Sequence, residues 1–86
     1  MKVSVDLTLT PLSDEYEHSI KTFIKKIRSL GFKVIENPLG TQIYGEYDSL
    51  MSSLQEIIRE TFEDESFVIL NLKIVKGDRS KYVPSF

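Results

Sequence analysis

Apolar and polar residues alternate one by one along Val3-Ser4-Val5-Asp6-Leu7-Thr8-Leu9, and the run ends at Thr10-Pro11. A period of two over that length predicts a β-strand with one buried face. From residue 14 to 31 the period lengthens. Ile20, Phe23, Ile24, Ile27 and Leu30 recur at spacings of three and four, Asp14 and Glu17 stand in capping-box register, and Gly31 follows as a stop. That pattern predicts an amphipathic helix. Residues 49–63 repeat it with Leu50, Leu54, Ile57, Ile58 and Phe62, behind Asp48 as the expected N-cap. Between the helices, residues 32–36 and 41–47 read as strands joined by Asn37-Pro38-Leu39-Gly40, whose Pro and Gly suit a tight hairpin connection. Residues 67–75 form a last strand, so the order is βαββαβ.

Two βαβ halves with right-handed crossovers interleave most simply as a four-stranded antiparallel sheet in the order 4-1-3-2, with both helices on one face. The expected fold is therefore α+β, a ferredoxin-like sandwich over residues 1–76. An extended tail follows over residues 77–86, in which Tyr82, Val83 and Phe86 are apolar enough to dock on the surface. Alternation assigns the faces. Val3, Val5, Leu7, Leu9, Ile43, Leu70, Leu72 and Ile74 turn toward the helices, with Thr41 and Gly45 on the same side. Ser4, Asp6, Thr8, Gln42, Tyr44, Glu46, Asn71 and Lys73 turn away.

Composition narrows the function more than the fold. The 86 residues carry a net charge of −2, which offers no basic footprint for nucleic acid or an anionic membrane. Tyr44 is the one aromatic placed to stack a base on the two central strands, so RNA recognition is not expected. Cysteine is absent, which removes disulfides, thiolate nucleophiles and Cys-based metal sites. The start Met-Lys-Val-Ser-Val-Asp has no apolar leader core, and no stretch approaches the ~20 apolar residues of a membrane span; a cytoplasmic protein is expected.

Few residues suggest chemistry. His18 lies off the apolar stripe of the first helix and reads as solvated. Glu63-Asp64-Glu65 lacks the oxygen spacing of a calcium loop and reads as a solvated loop. Neither a metal nor a cofactor is expected. The polar sheet face of Asp6, Thr8, Gln42, Tyr44, Glu46, Asn71 and Lys73 suits a wet or polar interface between copies, with charges paired across strands. Concavity suited to a small ligand is better at the end of the sandwich. There strand one leaves the sheet at Thr10-Pro11 and strand three enters at Gly40-Thr41, as antiparallel neighbours beneath the start of the first helix. Leu9 and Thr41 become close there. Pro11 cannot donate a ladder hydrogen bond, and Gly40 permits close backbone approach, so main-chain groups are left for a ligand. The bland alternative has Thr41 bonding only the adjacent loop.

At these residues the chain resembles the small YkoF-like thiamine-binding protein family. The resemblance rests on Leu7-Thr8-Leu9-Thr10-Pro11-Leu12, on Gly40-Thr41-x-Ile43-x-Gly45-Glu46 followed by Asp48-x-x-Met51, and on Leu72-Lys73-Ile74, in order and spacing over residues 3–74. It implies a ferredoxin-like sandwich whose sheets pack face to face in homodimers or homotetramers. It also implies binding of thiamine or its hydroxymethylpyrimidine portion, without catalysis, in a cleft between sheet and helices. The family's ligand-contacting positions match Leu9, through its backbone, and Thr41, which agrees with the cleft reached from geometry. Gly40 borders that cleft, and Ile43 and Phe23 are expected as apolar walls for a flat heteroaromatic ring. Family members commonly continue into a helix after the last strand, whereas residues 77–86 lack helical periodicity. Extra residues between Lys73 and Arg79 predict a final strand that is longer or bulged. The competing reading is a regulatory or assembly module acting through the polar sheet face without a small ligand, as in amino-acid-sensing domains of the same element order. An enzymatic reading would borrow from acylphosphatases, which need an arginine in the loop after strand one; here that loop is Pro11-Leu12-Ser13-Asp14-Glu15 and acidic.

Overall fold

Six elements follow in the expected order in the computed structural model, which describes residues 1–86. They are β1 (Lys2–Pro11), α1 (Tyr16–Ser29), β2 (Lys33–Asn37), β3 (Gly40–Glu46), α2 (Tyr47–Asp64) and β4 (Val68–Lys76). The strands form one antiparallel sheet in the order β2-β3-β1-β4, the ferredoxin-like α+β arrangement expected from the crossovers. The β1–β4 register runs unbroken from Val3 opposite Lys76 to Pro11 opposite Val68, so the last strand is longer and carries no bulge.

The core lies where the helices cover the two central strands. Val3, Val5, Leu7 and Leu9 of β1 and Ile43 of β3 point into it. Phe23 and Ile27 descend from α1, and Leu50, Leu54 and Ile57 from α2. Burying a side chain of that size is worth about 1.5–3 kcal/mol, so these ten residues supply most of the drive to fold. The buried stripe of α2 continues with Thr61, whose hydroxyl donates to the Ile57 carbonyl at 2.8 Å, while Phe62 is exposed. A threonine can hold an interior position because its own helix satisfies the hydroxyl.

Several local expectations are corrected. The α1 capping box of Asp14 and Glu17 does not form: Glu15 occupies the cap position without a side-chain bond, and Glu17 lies in the first turn. Likewise α2 begins at Tyr47 after Glu46, which places Asp48 inside its first turn, where its charge favours the positive end of the helix. Gly31 does end α1, at φ +82°. Leu72 and Ile74 lie on the helix side opposite Leu7 and Val5, yet both are exposed: the helices sit over β1 and β3, and of β4 only Val68 and Leu70 pack against the core.

The tail runs over the open sheet face, held there by polar residues. Tyr82, Val83 and Phe86 stay exposed, and polar residues anchor the segment instead. Gly77, at φ +101°, turns the chain back over the open sheet face. There the Ser4 hydroxyl donates to the Gly77 carbonyl at 2.8 Å and accepts from the Arg79 N–H at 2.8 Å. Ser4, on the face turned away from the helices, is therefore buried beneath the tail.

Gly45 leaves no room for a side chain, since a Cβ at that position would lie 2.6 Å from the Phe32 ring and 3.3 Å from Leu50. Gly45→Ala is expected to destabilise the fold by about 1–3 kcal/mol through overpacking, seen as a lower urea midpoint at unchanged slope.

Candidate functional site

Hydrogen-bond phase along β1 creates an opening at its end. On the β3 side the Met1 carbonyl accepts from Tyr47 N–H. On the β4 side the Lys2 carbonyl accepts from Gly77 N–H, and Leu12 N–H donates to the Phe67 carbonyl. Main-chain groups of successive residues in a strand aim at opposite neighbours, so odd-numbered residues of β1 face β3 and even-numbered ones face β4. Pairing with β3 stops at Leu7 opposite Thr41, whereas pairing with β4 continues to Pro11. The N–H and C=O of Leu9 therefore point past the end of β3.

Leu39, the residue that would meet them, is already engaged. Its N–H donates to Asn37 Oδ1 at 3.0 Å, and its carbonyl accepts from Thr8 Oγ1 at 3.2 Å. Leu9 thus presents one donor and one acceptor with no strand partner. Pro11 falls on the same open side, so its missing N–H takes nothing from the β4 ladder.

Thr41, opposite Leu7, borders this gap. The residue is buried, but its hydroxyl bonds no protein group, and no side-chain oxygen is sealed from solvent without a partner. The hydroxyl consequently opens into a cleft of about 140 Å³ between α1 and the β2–β3 hairpin, lined by Leu7, Leu9, Ile20, Phe23, Ile24, Pro38, Leu39, Gly40 and Thr41 among others. An apolar cavity of about 150 Å³ holds one benzene ring, so this cleft has room for a six-membered ring. Of the residues expected at the site, Leu9, Phe23, Gly40 and Thr41 come together here. Ile43 does not: it is fully buried below the cleft and forms part of the core. Ile20, Ile24, Pro38 and Leu39 complete the walls without having been singled out. The stripe that holds Ile20 and Ile24 was visible, but its half-buried flank looks the same in sequence as its buried centre.

A polar relay fixes the hairpin tip that closes one side. Asn37 Oδ1 accepts from both Leu39 and Gly40 N–H, Asn37 Nδ2 donates to Gln42 Oε1 at 3.2 Å, and Gln42 Nε2 donates to Asp6 Oδ1 at 2.9 Å. Gly40 must lack a side chain, because a Cβ there would lie 3.0 Å from Thr8 Oγ1 and 3.2 Å from the Leu7 carbonyl. Asp6, Thr8 and Gln42, expected on an interface between copies, therefore brace the cleft from the opposite face of the sheet. Glu46 is tied up at the other end of β3, within 2.9 Å of the terminal ammonium and 3.5 Å of Lys2, which holds its carboxyl below the usual range. Tyr44 and Lys73 line a shallow groove of about 160 Å³ beside Arg79 of the tail. Burial, with Asp78 and Asp6 nearby, raises the Tyr44 hydroxyl pKa. Asn71 is exposed on the same face.

A larger cavity of about 450 Å³ lies between the start of α1 and the end of α2. His18, Asp14, Glu15, Asp64 and Glu65 line it, and Lys26 reaches Glu60 at 3.2 Å and Asp64 at 3.7 Å. No three His, Asp or Glu side chains converge to hold a metal. No helix is long and apolar enough to cross a membrane.

The sequence profile of the thiamine-binding protein family matches residues 5–82. The chain belongs to that family. Membership gives the molecule a thiamine-related role, and the family's description is one of binding. Among solved structures, a candidate thiamine biosynthesis/salvage protein of Thermotoga maritima superposes with a TM-score of 0.78 at 28% identity, over 86% of this chain and 82% of that one. A Streptococcus pneumoniae protein gives 0.83 at 26% identity over 94% and 92%. A hypothetical protein of Methanocaldococcus jannascii, at 24% identity and 0.75 over 90% and 81%, shares the fold. No curated protein matches.

The cleft walls are joined by one ion pair. Arg28 of α1 grips Glu36 of β2 with two hydrogen bonds of 2.6 Å, which holds the Glu36 carboxyl below its ordinary 4.5 and raises Arg28. A depressed carboxylate contributes fully above its ordinary value and loses its contribution as pH falls through the lower folded value. Glu36→Gln is therefore expected to lower the thermal midpoint at pH 7. The gap to the parent should close as pH drops below 4.5, read from melting curves across a pH series.

Proposed function

We propose that the protein is a non-catalytic cytoplasmic carrier for thiamine, held by the pyrimidine half of the molecule. The observation that carries this reading is the meeting of Leu9's unpartnered main-chain pair with the free Thr41 hydroxyl over an apolar slot the size of one ring. An aminopyrimidine has the complementary edge. Its amino group donates to the Leu9 carbonyl, an adjacent ring nitrogen accepts from the Leu9 N–H, and Thr41 satisfies a further ring nitrogen. Phe23, Ile20 and Ile24 cover the flat face. A slot of one-ring volume leaves the thiazolium outside, so hydroxymethylpyrimidine alone should bind nearly as well as the intact vitamin.

Nothing in the cleft supplies a nucleophile with an adjacent base, and the groups that do line it position a ring without reacting with it. The site orders a ligand.

Isothermal titration calorimetry tests this reading. Both thiamine and hydroxymethylpyrimidine are expected to saturate one site per chain. Thr41→Val, which keeps the shape and removes the hydroxyl, should weaken both about 3- to 10-fold, the worth of one hydrogen bond. A folded protein that gives no heat with either ligand would overturn the proposal and favour the assembly module. Equal affinity of Thr41→Val and the parent would remove Thr41 from the site.

A further inference from the structure

The ladder between β1 and β3 stops one rung short of where its register leads. Val3, Val5 and Leu7 stand opposite Gly45, Ile43 and Thr41, so the next rung would set Leu9 opposite Leu39. Odd-numbered residues of β1 are the ones that exchange main-chain hydrogen bonds on the β3 side, as the Met1 carbonyl does with Tyr47 N–H. That rung would therefore consume both main-chain groups of Leu9.

Two side chains stand in its way. Asn37 Oδ1 accepts from the Leu39 N–H at 3.0 Å, and the Thr8 hydroxyl donates to the Leu39 carbonyl at 3.2 Å. These are the two groups that Leu39 would offer to Leu9. Little else keeps Leu39 where it is: its residue surface is 87% exposed, and its φ is negative, in the half of backbone space that strands use. Asn37, by contrast, is secured twice more, by the Gly40 N–H at 3.1 Å and by its own amide bond to Gln42 at 3.2 Å. Asn37 and Thr8 both border the cleft, but their polar groups are spent on the protein.

We propose that Asn37 and Thr8 are positioning residues: by occupying Leu39 they hold the last rung open, and the ligand takes that rung in place of Leu39. This inference rests on the ligand reading given above. Ring and loop then compete for the same two atoms. An aminopyrimidine edge sets a donor beside an acceptor, as a strand residue does, and any fraction of molecules with the rung closed lowers the apparent affinity in proportion.

Amide hydrogen exchange together with calorimetry separates this role from simple support of the loop. In the ligand-free parent, Leu9 N–H should exchange fast while Val5 and Leu7 are protected. Asn37→Ala and Thr8→Val each release one group of Leu39. Both variants should slow Leu9 exchange, and both should weaken thiamine and hydroxymethylpyrimidine about 3- to 10-fold, the worth of one hydrogen bond gained by the competitor. Asn37→Asp keeps the acceptor and Thr8→Ser keeps the hydroxyl, so these two should stay close to the parent in both readouts. Weaker binding with Leu9 exchange unchanged would reduce the pair to loop supports and overturn the proposal, as would unchanged affinity. The exchange measurement needs no ligand. If the parent binds neither compound while Leu9 slows in both variants, the ligand reading falls and the assignment of Asn37 and Thr8 to the open rung stands. Should Asn37→Ala fail to fold, Thr8→Val decides.

Discussion

Everything particular about this molecule follows from β1 being longer than β3. A central strand in a sheet normally exchanges hydrogen bonds on both sides along its length, and a main-chain group left over must find another partner. Here β1 keeps β4 beside it to Pro11 and loses β3 after Leu7. The mismatch leaves Leu9 with main-chain groups that no strand can take and sets them under α1. In the same place the hairpin turn folds its own N–H groups onto Asn37, so the turn cannot take them either.

Energetics keep that opening from collapsing. The core concentrates on β1, β3 and the facing stripes of the helices, and Ile43 belongs to it in full. The cleft sits at the flank of this packing, where Ile20 and Ile24 are only half-buried, so apolar wall and free polar groups coexist without an enclosed, unsatisfied side-chain polar atom. The Asp6–Gln42–Asn37 relay fixes the hairpin wall, and the Arg28–Glu36 pair ties that wall to α1. Each bond is modest where it is exposed and screened by solvent, yet together they define a shape. A preformed shape matters for any small ligand, which brings little binding energy with which to order a loose site.

The period-two and period-3.6 patterns were enough to read the element order, the sheet topology and the core of both helices, because those are set by burial, and burial writes itself into residue type. Leu9, Thr41, Gly40 and Phe23 were legible as neighbours for a related reason, since strand order brings the end of β1 beside the start of β3. Ile43 was misplaced because alternation tells which face a residue takes and is silent on whether that face is open or covered. The same limit explains Leu72 and Ile74, inward by phase and exposed in fact. The helix caps misled because Asp14 and Asp48 match a local preference that tertiary placement of the helix start overrode. No local signal marked Ser4, whose burial depends on a segment more than seventy positions away.

That contact joins the two ends of the chain. The Ser4 hydroxyl links residues separated by 73 and 75 positions, so it closes nearly the whole polypeptide into a ring. Loop closure of this span can be rewarded only after β1 and β4 have paired, which makes the strap a late event in folding and a seal on its completion. A chain stalled before the last strand docks would hold its first strand with Ser4 open to water. The hydroxyl of one serine therefore distinguishes the finished molecule from its unfinished precursors.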